Sequence, residues 1–323
     1  MGRLLTVQNL CTEFYTERGT VKAVNNVSYT VDEGEIIGIV GESGCGKSVS
    51  QLSVMQLIPS PPGKIVSGSV NLEGVELLQY KPHSKEMCRI RGSKIAMIFQ
   101  EPMTSLNPSA TIGKQLTEVL HIHMNYNDRE AREKVVEMLD LVGIPDPTRR
   151  IDDYPHQLSG GMRQRAMISM AMLCGPKMII ADEATTALDA TIQAQLLELM
   201  HNLATQHNVA LIMVTHNLGI VARYTQRINV MYAGRIVESG TTEEIWKNPT
   251  HPYTEGLLSC VPIVGKALEP IEGMPPSLIE RPDVCAFLPR CKHRKKVCFE
   301  SPAPELTCVD GCHYAACIVR TGA

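Results

Sequence analysis

The chain begins with short runs in which polar and apolar residues alternate, and these runs predict antiparallel strands with one buried face. They cover Leu4–Val7, Val21–Val24 and Val27–Val31, and Ser67–Gly74 repeats the pattern further along. The run Gly34–Val40 differs, because it is almost continuously apolar and rich in β-branched residues. Such a run is typical of a parallel strand that is buried on both faces.

Helical periodicity alternates with further apolar runs in the middle of the chain. This alternation predicts a doubly wound α/β core, and the proline-rich, aperiodic segment after about residue 262 predicts a boundary. The predicted helices lie between about 110 and 150, over Gly160–Ala171 and over Ile192–Thr205, and the predicted strands cover Arg91–Gln100, Lys177–Asp182 and Ala210–Thr215.

Composition limits the classes of function. The 323 residues are 44% hydrophobic and 20% charged, as in ordinary globular proteins. A net charge of −3 gives no bulk electrostatic reason to expect a nucleic acid as partner. No apolar run approaches the roughly 18 residues that span a bilayer, so we expect a cytosolic protein whose membrane contact comes through a partner.

The segment Gly41–Ser48 reads G-x-x-x-x-G-K-S between the apolar run and a helical pattern, which is the context of a phosphate-binding loop. Backbone N–H groups and a helix N-terminus would cradle an anion. Lys47 would reach the β- and γ-phosphates, and Ser48 would bind Mg²⁺. A glycine-rich turn that matches by chance is the alternative. Cys45 is either a small residue tolerated in the loop or a thiol whose pKa is lowered there.

Polar side chains follow two of the predicted buried strands. Asp182 and Glu183 stand where α/β folds bind ligands, Asp182 suited to hold Mg²⁺ through water and Glu183 to polarise an attacking water. The alternative is a solvated acidic turn. His216 follows the next strand and either contacts the γ-phosphate or has a structural role.

The segment Gln157–Arg165 predicts a second helix whose N-terminus is suited to an anion, with Ser159 followed by two glycines but no lysine. One chain does not readily bring two such anion-binding helix N-termini to one triphosphate. We therefore expect two subunits, each presenting this segment to the phosphate loop of the other.

These segments resemble, in their order along the chain, the motifs of ATP-binding cassette (ABC) ATPases. The resemblance covers about residues 4–260, and Leu158–Met162, similar to the signature motif, is its most specific part. Gly41–Ser48 resembles the Walker A motif, Ile179–Glu183 the Walker B motif, Gln100 the Q-loop, Ala187–Asp189 the D-loop and His216 the switch histidine.

The resemblance implies an α/β fold, with a P-loop NTPase (RecA-like) core, an antiparallel β subdomain and a helical subdomain at about 101–165. Residues 1–261 would form the nucleotide-binding domain, and 262–323 a loop-rich, cysteine-containing extension. It also implies that nucleotide is sandwiched in a head-to-tail dimer, with Glu183 as catalytic base and Gln100 and His216 assisting.

The same resemblance implies residues that bind ATP and Mg²⁺. An aromatic residue near the N-terminus stacks on adenine in this family; Phe14 is the candidate and Tyr15 the alternate, while packing on the first strand would explain either equally. Ser48, Gln100 and Asp182 would hold Mg²⁺. The implied ATP contacts are Phe14, Gly41, Ser43, Gly44, Cys45, Gly46, Lys47, Ser48, Val49, Gln100 and Asp182, with Ser159, Gly160 and Gly161 reaching the ATP of the other subunit.

Three longer segments, Phe99–Pro108, Tyr154–Met162 and Asn248–Thr254, are similar to the dipeptide/oligopeptide importer ATPases, a subfamily that includes nickel importers. The chain departs from the family at Ala184, where proline is usual, and at Asn217, where aspartate is usual. Neither change removes a catalytic atom, so we predict that hydrolysis is retained.

Six of the eleven cysteines crowd between Cys285 and Cys317, which in a reducing cytosol favours a metal site over disulfides. Four thiolates suit Zn²⁺ or an iron–sulfur cluster. The peptide-importer resemblance favours a [4Fe–4S] cluster, with zinc as the alternative and unligated thiols as the third possibility. The predicted ligands are Cys285, Cys291, Cys298 and Cys312, with Cys308 able to replace Cys312 and Cys317 spare.

The resemblance predicts the ATP-hydrolysing subunit of a di- or oligopeptide importer, peripheral at the cytoplasmic face of the membrane. Its implied partners are two transmembrane permease subunits, a second, paralogous ABC ATPase and, indirectly, an extracytoplasmic substrate-binding protein. The alternatives are an importer of nickel or another small solute, a soluble ABC ATPase acting on DNA or ribosomes, and a non-catalytic member of a heterodimer. The motifs do not identify the solute.

Overall fold

The chain forms two compact units, one of residues 1–79 with 213–323 and the other of residues 80–212. The second unit is therefore inserted into the first along the sequence. No helix within the described ranges is both long and apolar enough to cross a membrane. The structure, a computed structural model, describes residues 2–100, 105–185, 189–262, 269–279 and 283–322.

The first unit contains an antiparallel sheet with the strand order β2-β1-β4-β5, which confirms the antiparallel strands predicted near the start. The two runs predicted between residues 21 and 31 belong to one long strand, in which Asn26 adopts a positive φ of 57° at an irregularity in the pairing. Asparagine tolerates this conformation better than most residues. The strands are β1 (Arg3–Thr16), β2 (Gly19–Asp32), β4 (Gly63–Leu72) and β5 (Val75–Glu76).

A second set of strands in this unit has the order β3-β9-β10-β12-β11. The apolar run at Gly34–Val40 forms β3, which is buried throughout and pairs in parallel with β9. The C-terminal extension adds β12 and β11 as antiparallel strands, which its lack of periodicity did not predict. The strands are β3 (Ile36–Val40), β9 (Arg227–Tyr232), β10 (Arg235–Thr241), β11 (Thr307–Asp310) and β12 (His313–Ala315).

Three helices of the first unit, α8, α9 and α10, contribute to a buried core that the extension shares. Val40, Val221, Tyr232, Tyr253 and Phe287 are all buried in one cluster. The extension therefore does not depend on a separate core. The helices are α1 (Lys47–Val54), α8 (Leu218–Tyr224), α9 (Thr242–Lys247), α10 (Pro252–Ser259), α11 (Val297–Glu300) and α12 (Ile318–Thr321), with 3-10 turns at Leu77–Gln79 and Leu288–Arg290.

The second unit contains the parallel strands β6 and β7 and a set of helices. The strand predicted over Arg91–Gln100 is shorter, because α2 continues to Ser93 across a kink at Gly92. Strand β8 crosses the boundary between the two units. The elements are β6 (Ile95–Ile98), β7 (Met178–Asp182), β8 (Ala210–Thr215), α2 (Lys85–Ser93), α3 (Ile112–Met124), α4 (Asp128–Leu141), α5 (Pro147–Arg150), α6 (Gly160–Met172) and α7 (Ala190–Gln206), with a 3-10 turn at Pro155–Gln157.

The predicted domain boundaries stay a prediction. The compact units divide the chain near residues 79 and 212, whereas the sequence predicts boundaries at about 101, 165 and 261. The extension from residue 262 onward belongs to the first compact unit.

Candidate nucleotide-binding and catalytic site

The predicted phosphate loop connects β3 to α1, and two of its glycines have no room for a side chain. A Cβ atom on Gly41 would lie 2.1 Å from the carbonyl oxygen of Met231, and one on Gly46 would lie 2.2 Å from that of Ala23. Gly46 also has a φ of 102°, a conformation that favours glycine. The loop therefore depends on glycine for close backbone packing as well as for its turn.

Lys47 is the first residue of α1 and is almost fully buried. Its Nζ donates to the carbonyl oxygens of Gly41 at 2.7 Å and Glu42 at 3.0 Å. The ammonium group thus lies within the loop whose N–H groups would cradle a phosphate. Ser48 and Val49 follow in the first turn of α1.

Cys45 is buried within the same loop, and burial raises the pKa of its thiol despite the nearby Lys47. A raised pKa lowers the thiolate fraction at neutral pH, which opposes oxidation. Of the two interpretations of Cys45, the structure favours the small residue tolerated in the loop.

The two candidate adenine-stacking residues are neighbours on β1. Phe14 is half-buried two residues after Thr12, whose Oγ1 lies 2.7 Å from Oγ of Ser53 in α1. Tyr15 is 51% exposed and donates to the Glu13 carboxylate at 3.1 Å. In the sheet, Phe14 pairs with Val21 of β2 and with Gly63 of β4.

The two carboxylates follow β7 as predicted, and Asp182 is 6% exposed. Glu183 has a positive φ of 45°, and its Oε2 accepts a hydrogen bond of 3.2 Å from Nε2 of Gln100. The structure thus brings together two of the three predicted catalytic residues. Gln164 donates through its side-chain amide to the carbonyl oxygen of Ala184, which fixes the turn where the family has proline.

Ser159 begins α6 as an N-cap, and its Oγ accepts a hydrogen bond of 3.3 Å from the Met162 N–H. The side chain of Ser159 is exposed, and Gly160 and Gly161 form the first turn. A Cβ atom on Gly161 would lie 3.2 Å from the Ile192 side chain. The helix N-terminus with its two glycines is present as predicted.

His216 follows β8 and is exposed. The next residue, Asn217, caps α8 by accepting hydrogen bonds from the N–H groups of Gly219 at 3.0 Å and Ile220 at 3.4 Å. Asparagine and aspartate cap helices about equally well, so Asn217 preserves the local structure despite departing from the family.

Some predicted motif residues lie outside the described residues. They are Ala187 and Leu188 of the D-loop, and residues 101–104 of the segment Phe99–Pro108. Asp189 of the D-loop is described and caps α7, accepting from the Thr191 N–H at 3.1 Å.

Sequence reasoning missed two residues that contact the phosphate loop from the C-terminal part of the chain. The hydroxyl oxygen of Tyr253 accepts a hydrogen bond of 2.8 Å from the Glu42 N–H, and Arg290 forms an ion pair of 2.7 Å with the Glu42 carboxylate. The only signal was that Tyr253 lies in the family-like segment Asn248–Thr254. Nothing in the local sequence marked Arg290.

An apolar cavity of about 30 Å³ lies between the cysteine-rich tail and the start of α10. Cys317 lines it in place of the predicted Cys312, which is exposed in the turn between β11 and β12. Among the residues that the structure describes, no group of three or more His, Cys, Asp or Glu is arranged to hold a metal ion. The cysteines that line the cavity are Cys285, Cys291, Cys298 and Cys317.

Two of the cysteines that line this cavity have a perturbed pKa. Burial raises the pKa of Cys285 and of Cys291, which favours the protonated form of both thiols. The nearby Cys317 also raises the pKa of Cys291.

Two family profiles match the chain. One, described as ABC transporter, matches residues 24–186, and one, described as oligopeptide/dipeptide transporter, C-terminal region, matches residues 237–298. The chain is 50% identical over 301 residues to the dipeptide transport ATP-binding protein of Bacillus subtilis, covering 92% of this chain and 89% of that one. It is 48% identical over 316 residues to the oligopeptide transport ATP-binding protein of Bacillus subtilis, covering 97% and 87%.

Solved structures show the same fold. A dimeric, post-hydrolysis ATP-binding cassette bound to ADP and Pi has a TM-score of 0.66 and 25% identity, covering 74% of this chain and 98% of that one. A subunit of the cbiONQ transporter of Clostridium perfringens has a TM-score of 0.64 and 25% identity, covering 77% and 92%.

Proposed function

The chain belongs to the ATP-binding subunits of ABC transporters, in their oligopeptide/dipeptide class, and we propose that it hydrolyses ATP to power the import of peptides. The observation that carries this proposal is the hydrogen bond from Gln100 to Glu183 after a buried strand, in a chain that also has a complete phosphate loop. A non-catalytic role is disfavoured because Lys47, Asp182, Glu183 and His216 are all present.

Each residue of the site has a role in this reaction. The loop N–H groups and Lys47 bind the phosphates, and Phe14 stacks on adenine. Glu183 accepts a hydrogen bond from the attacking water and takes its proton, while His216 contacts the γ-phosphate.

The chemistry of three side chains fits Mg²⁺, which prefers hard oxygen ligands. The Ser48 hydroxyl, the Asp182 carboxylate and the Gln100 amide oxygen would hold it. Magnesium bound there would neutralise charge on the phosphate oxygens.

We propose that the functional unit contains a second ABC ATPase subunit, a paralogue of this chain, and two permease subunits. Ser159, Gly160 and Gly161 would contact the ATP held by the other ATPase, since α6 presents an exposed, glycine-rich N-terminus. The protein would then be peripheral to the inner membrane, at its cytoplasmic face. Co-purification of this chain with two permeases and a distinct ATPase would support the proposal. Recovery of a homodimer of this chain would contradict the proposal that the second ATPase is a paralogue.

We also propose that the tail holds a [4Fe–4S] cluster on Cys285, Cys291, Cys298 and Cys317. The support is that these four side chains line one apolar cavity, and four thiolates are a suitable donor set for such a cluster or for zinc. Metal bound there would contribute folding free energy to a segment of short elements.

Replacing Cys317 by serine is expected to remove at least half of the bound iron and labile sulfide, because one of four ligands is lost. Cys312→Ser is the matched control and should retain both, since Cys312 is exposed outside the cavity. Iron and sulfide analysis with the visible absorption spectrum of anaerobically purified protein measures the effect. Loss of iron in Cys312→Ser but not in Cys317→Ser would support Cys312 as the fourth ligand, as first predicted from the sequence. Stoichiometric zinc without iron would favour a zinc site.

Transport assays test the solute class. In vesicles containing the assembled transporter and its binding protein, di- and oligopeptides should stimulate ATP hydrolysis and accumulate inside, whereas Ni²⁺ should do neither. The Glu183→Gln variant is the control for transport that does not depend on hydrolysis. Stimulation by Ni²⁺ without any response to peptides would instead support the nickel importer.

A further inference from the structure

We propose that Arg290 is a positioning residue of the nucleotide site, which holds Glu42 of the phosphate loop and thereby sets the affinity for ATP. The inference rests on the proposed binding of ATP by Gly41–Ser48. It gives the C-terminal extension a direct role in nucleotide binding.

The guanidinium of Arg290 has hydrogen-bond acceptors on all sides. Its side chain is 5% exposed, and its guanidinium forms a fork with the Glu42 carboxylate, with Nη1 to Oε2 at 2.7 Å and Nη2 to Oε1 at 2.9 Å. The guanidinium also donates to the Tyr232 hydroxyl at 3.3 Å and to the carbonyl oxygens of Ile271 at 3.4 Å and Glu272 at 3.0 Å. A guanidinium has five N–H groups, so each of them has an acceptor.

Aromatic rings hold Arg290 in this position. Its guanidinium carbon lies 5.9 Å from the ring centroids of both Tyr232 and Phe287. Those rings in turn pack with Tyr253, whose ring centroid lies 4.5 Å from that of Tyr232 and 5.5 Å from that of Phe287. The Arg290 side chain that forms the fork is therefore fixed in position by packing against a buried aromatic cluster.

Glu42 is bound through its backbone as well as its side chain. Its N–H donates to the Tyr253 hydroxyl at 2.8 Å, and its carbonyl oxygen accepts from Lys47 Nζ at 3.0 Å and from the Cys45 N–H at 3.3 Å. The carbonyl group that receives the Lys47 ammonium thus belongs to a residue that the extension holds in place. A shift of Glu42 would move both the loop and Lys47.

Loss of the fork would weaken ATP binding for two reasons that act in the same direction. The loop would lose a constraint that pre-organises its phosphate-binding N–H groups. The Glu42 carboxylate would also lose its neutralising partner in a loop that receives a triphosphate, and like charges repel.

The test measures the dissociation constant of a fluorescent ATP analogue for the full-length protein. Arg290→Gln is expected to raise it about tenfold, as for the loss of a charge-assisted hydrogen bond. Arg294→Gln is the matched control, because it makes the same change at an exposed residue of the same segment, and it should bind as the unaltered protein does. In the assembled transporter, Arg290→Gln should raise KM for ATP by a similar factor and leave kcat within about twofold, since the lost contact is made before and during the reaction.

A double-mutant cycle tests whether Arg290 acts through Glu42. Glu42→Gln loses the charged fork but also removes the carboxylate that would repel the triphosphate, so it is expected to weaken binding by less than Arg290→Gln does. Adding Arg290→Gln to it should change the dissociation constant by less than about twofold, because the two residues share one interaction. Equal effects of Arg290→Gln in both backgrounds would overturn the proposal, as would an unchanged dissociation constant in Arg290→Gln. If Arg290→Gln does not fold, Glu42→Gln tests the same ion pair from the phosphate loop. An unchanged dissociation constant in Glu42→Gln would then overturn the proposal. Absence of ATP binding by the unaltered protein would instead contradict the proposed function.

Discussion

Replacing Glu183 by glutamine is expected to lower the rate of ATP hydrolysis by about 10²–10⁴-fold, the contribution typical of a general base. Glutamine has the same shape as glutamate but its amide does not take a proton from water. ATP binding should be retained, because the phosphate loop is unchanged. Together with its paralogous ATPase partner, the variant should therefore accumulate in an ATP-bound dimer, which size-exclusion chromatography in the presence of ATP and Mg²⁺ would detect.

The control for this variant is Glu305→Gln, which makes the same chemical change at an exposed residue of the C-terminal segment. Its hydrolysis rate should equal that of the unaltered protein. Hydrolysis at the normal rate in Glu183→Gln would show that another group activates the water. The assignment of Glu183 as the base would then be wrong, while the family assignment would stand.

Replacing Lys47 by alanine is expected to weaken ATP binding by about 10²-fold and to reduce hydrolysis to background, since hydrogen bonds to charged groups each contribute about 1.5–3 kcal/mol. The buried ammonium, held by the carbonyl oxygens of Gly41 and Glu42, is the positive charge inside the loop. Equilibrium titration with a fluorescent ATP analogue measures the loss.

Lys85→Ala provides the comparison, because Lys85 is an exposed residue at the start of α2. It should bind ATP as the unaltered protein does. A thermal unfolding curve of Lys47→Ala separates weak binding from poor folding. Folded Lys47→Ala that bound ATP normally would contradict the role of Gly41–Ser48 as the phosphate loop.

Local sequence patterns predicted most of the fold and the residue types of the site. Strand β3, the loop after it and α1 could be predicted because periodicity and glycine spacing are properties of adjacent residues. The carboxylates after β7 were predicted for the same reason. Strands β11 and β12 were not, because their three or four residues stand in a proline-rich segment without recognisable periodicity.

Contacts between distant residues outside the family motifs could not be predicted. Glu42 and Arg290 are 248 residues apart, and no spacing rule connects them. The choice between Cys312 and Cys317 likewise depends on where the chain turns, and the cysteine intervals do not contain that information. For Cys45, the motif indicated a nearby positive charge, but the larger effect on its pKa is burial, which sequence alone did not reveal.

Because the second unit is inserted into the first along the sequence, the two parts of the first unit are synthesised at different times. Glu42 emerges 248 residues before Arg290, a delay of roughly 12–50 s at typical rates of synthesis. The inserted unit is complete once residue 212 has been made, and β3 gains its parallel neighbour β9 by residue 232, but the ion pair between Arg290 and Glu42 forms only later. The phosphate loop of the nascent chain therefore lacks this ion pair until translation is nearly finished, and we expect chaperones rather than nucleotide to protect it until then.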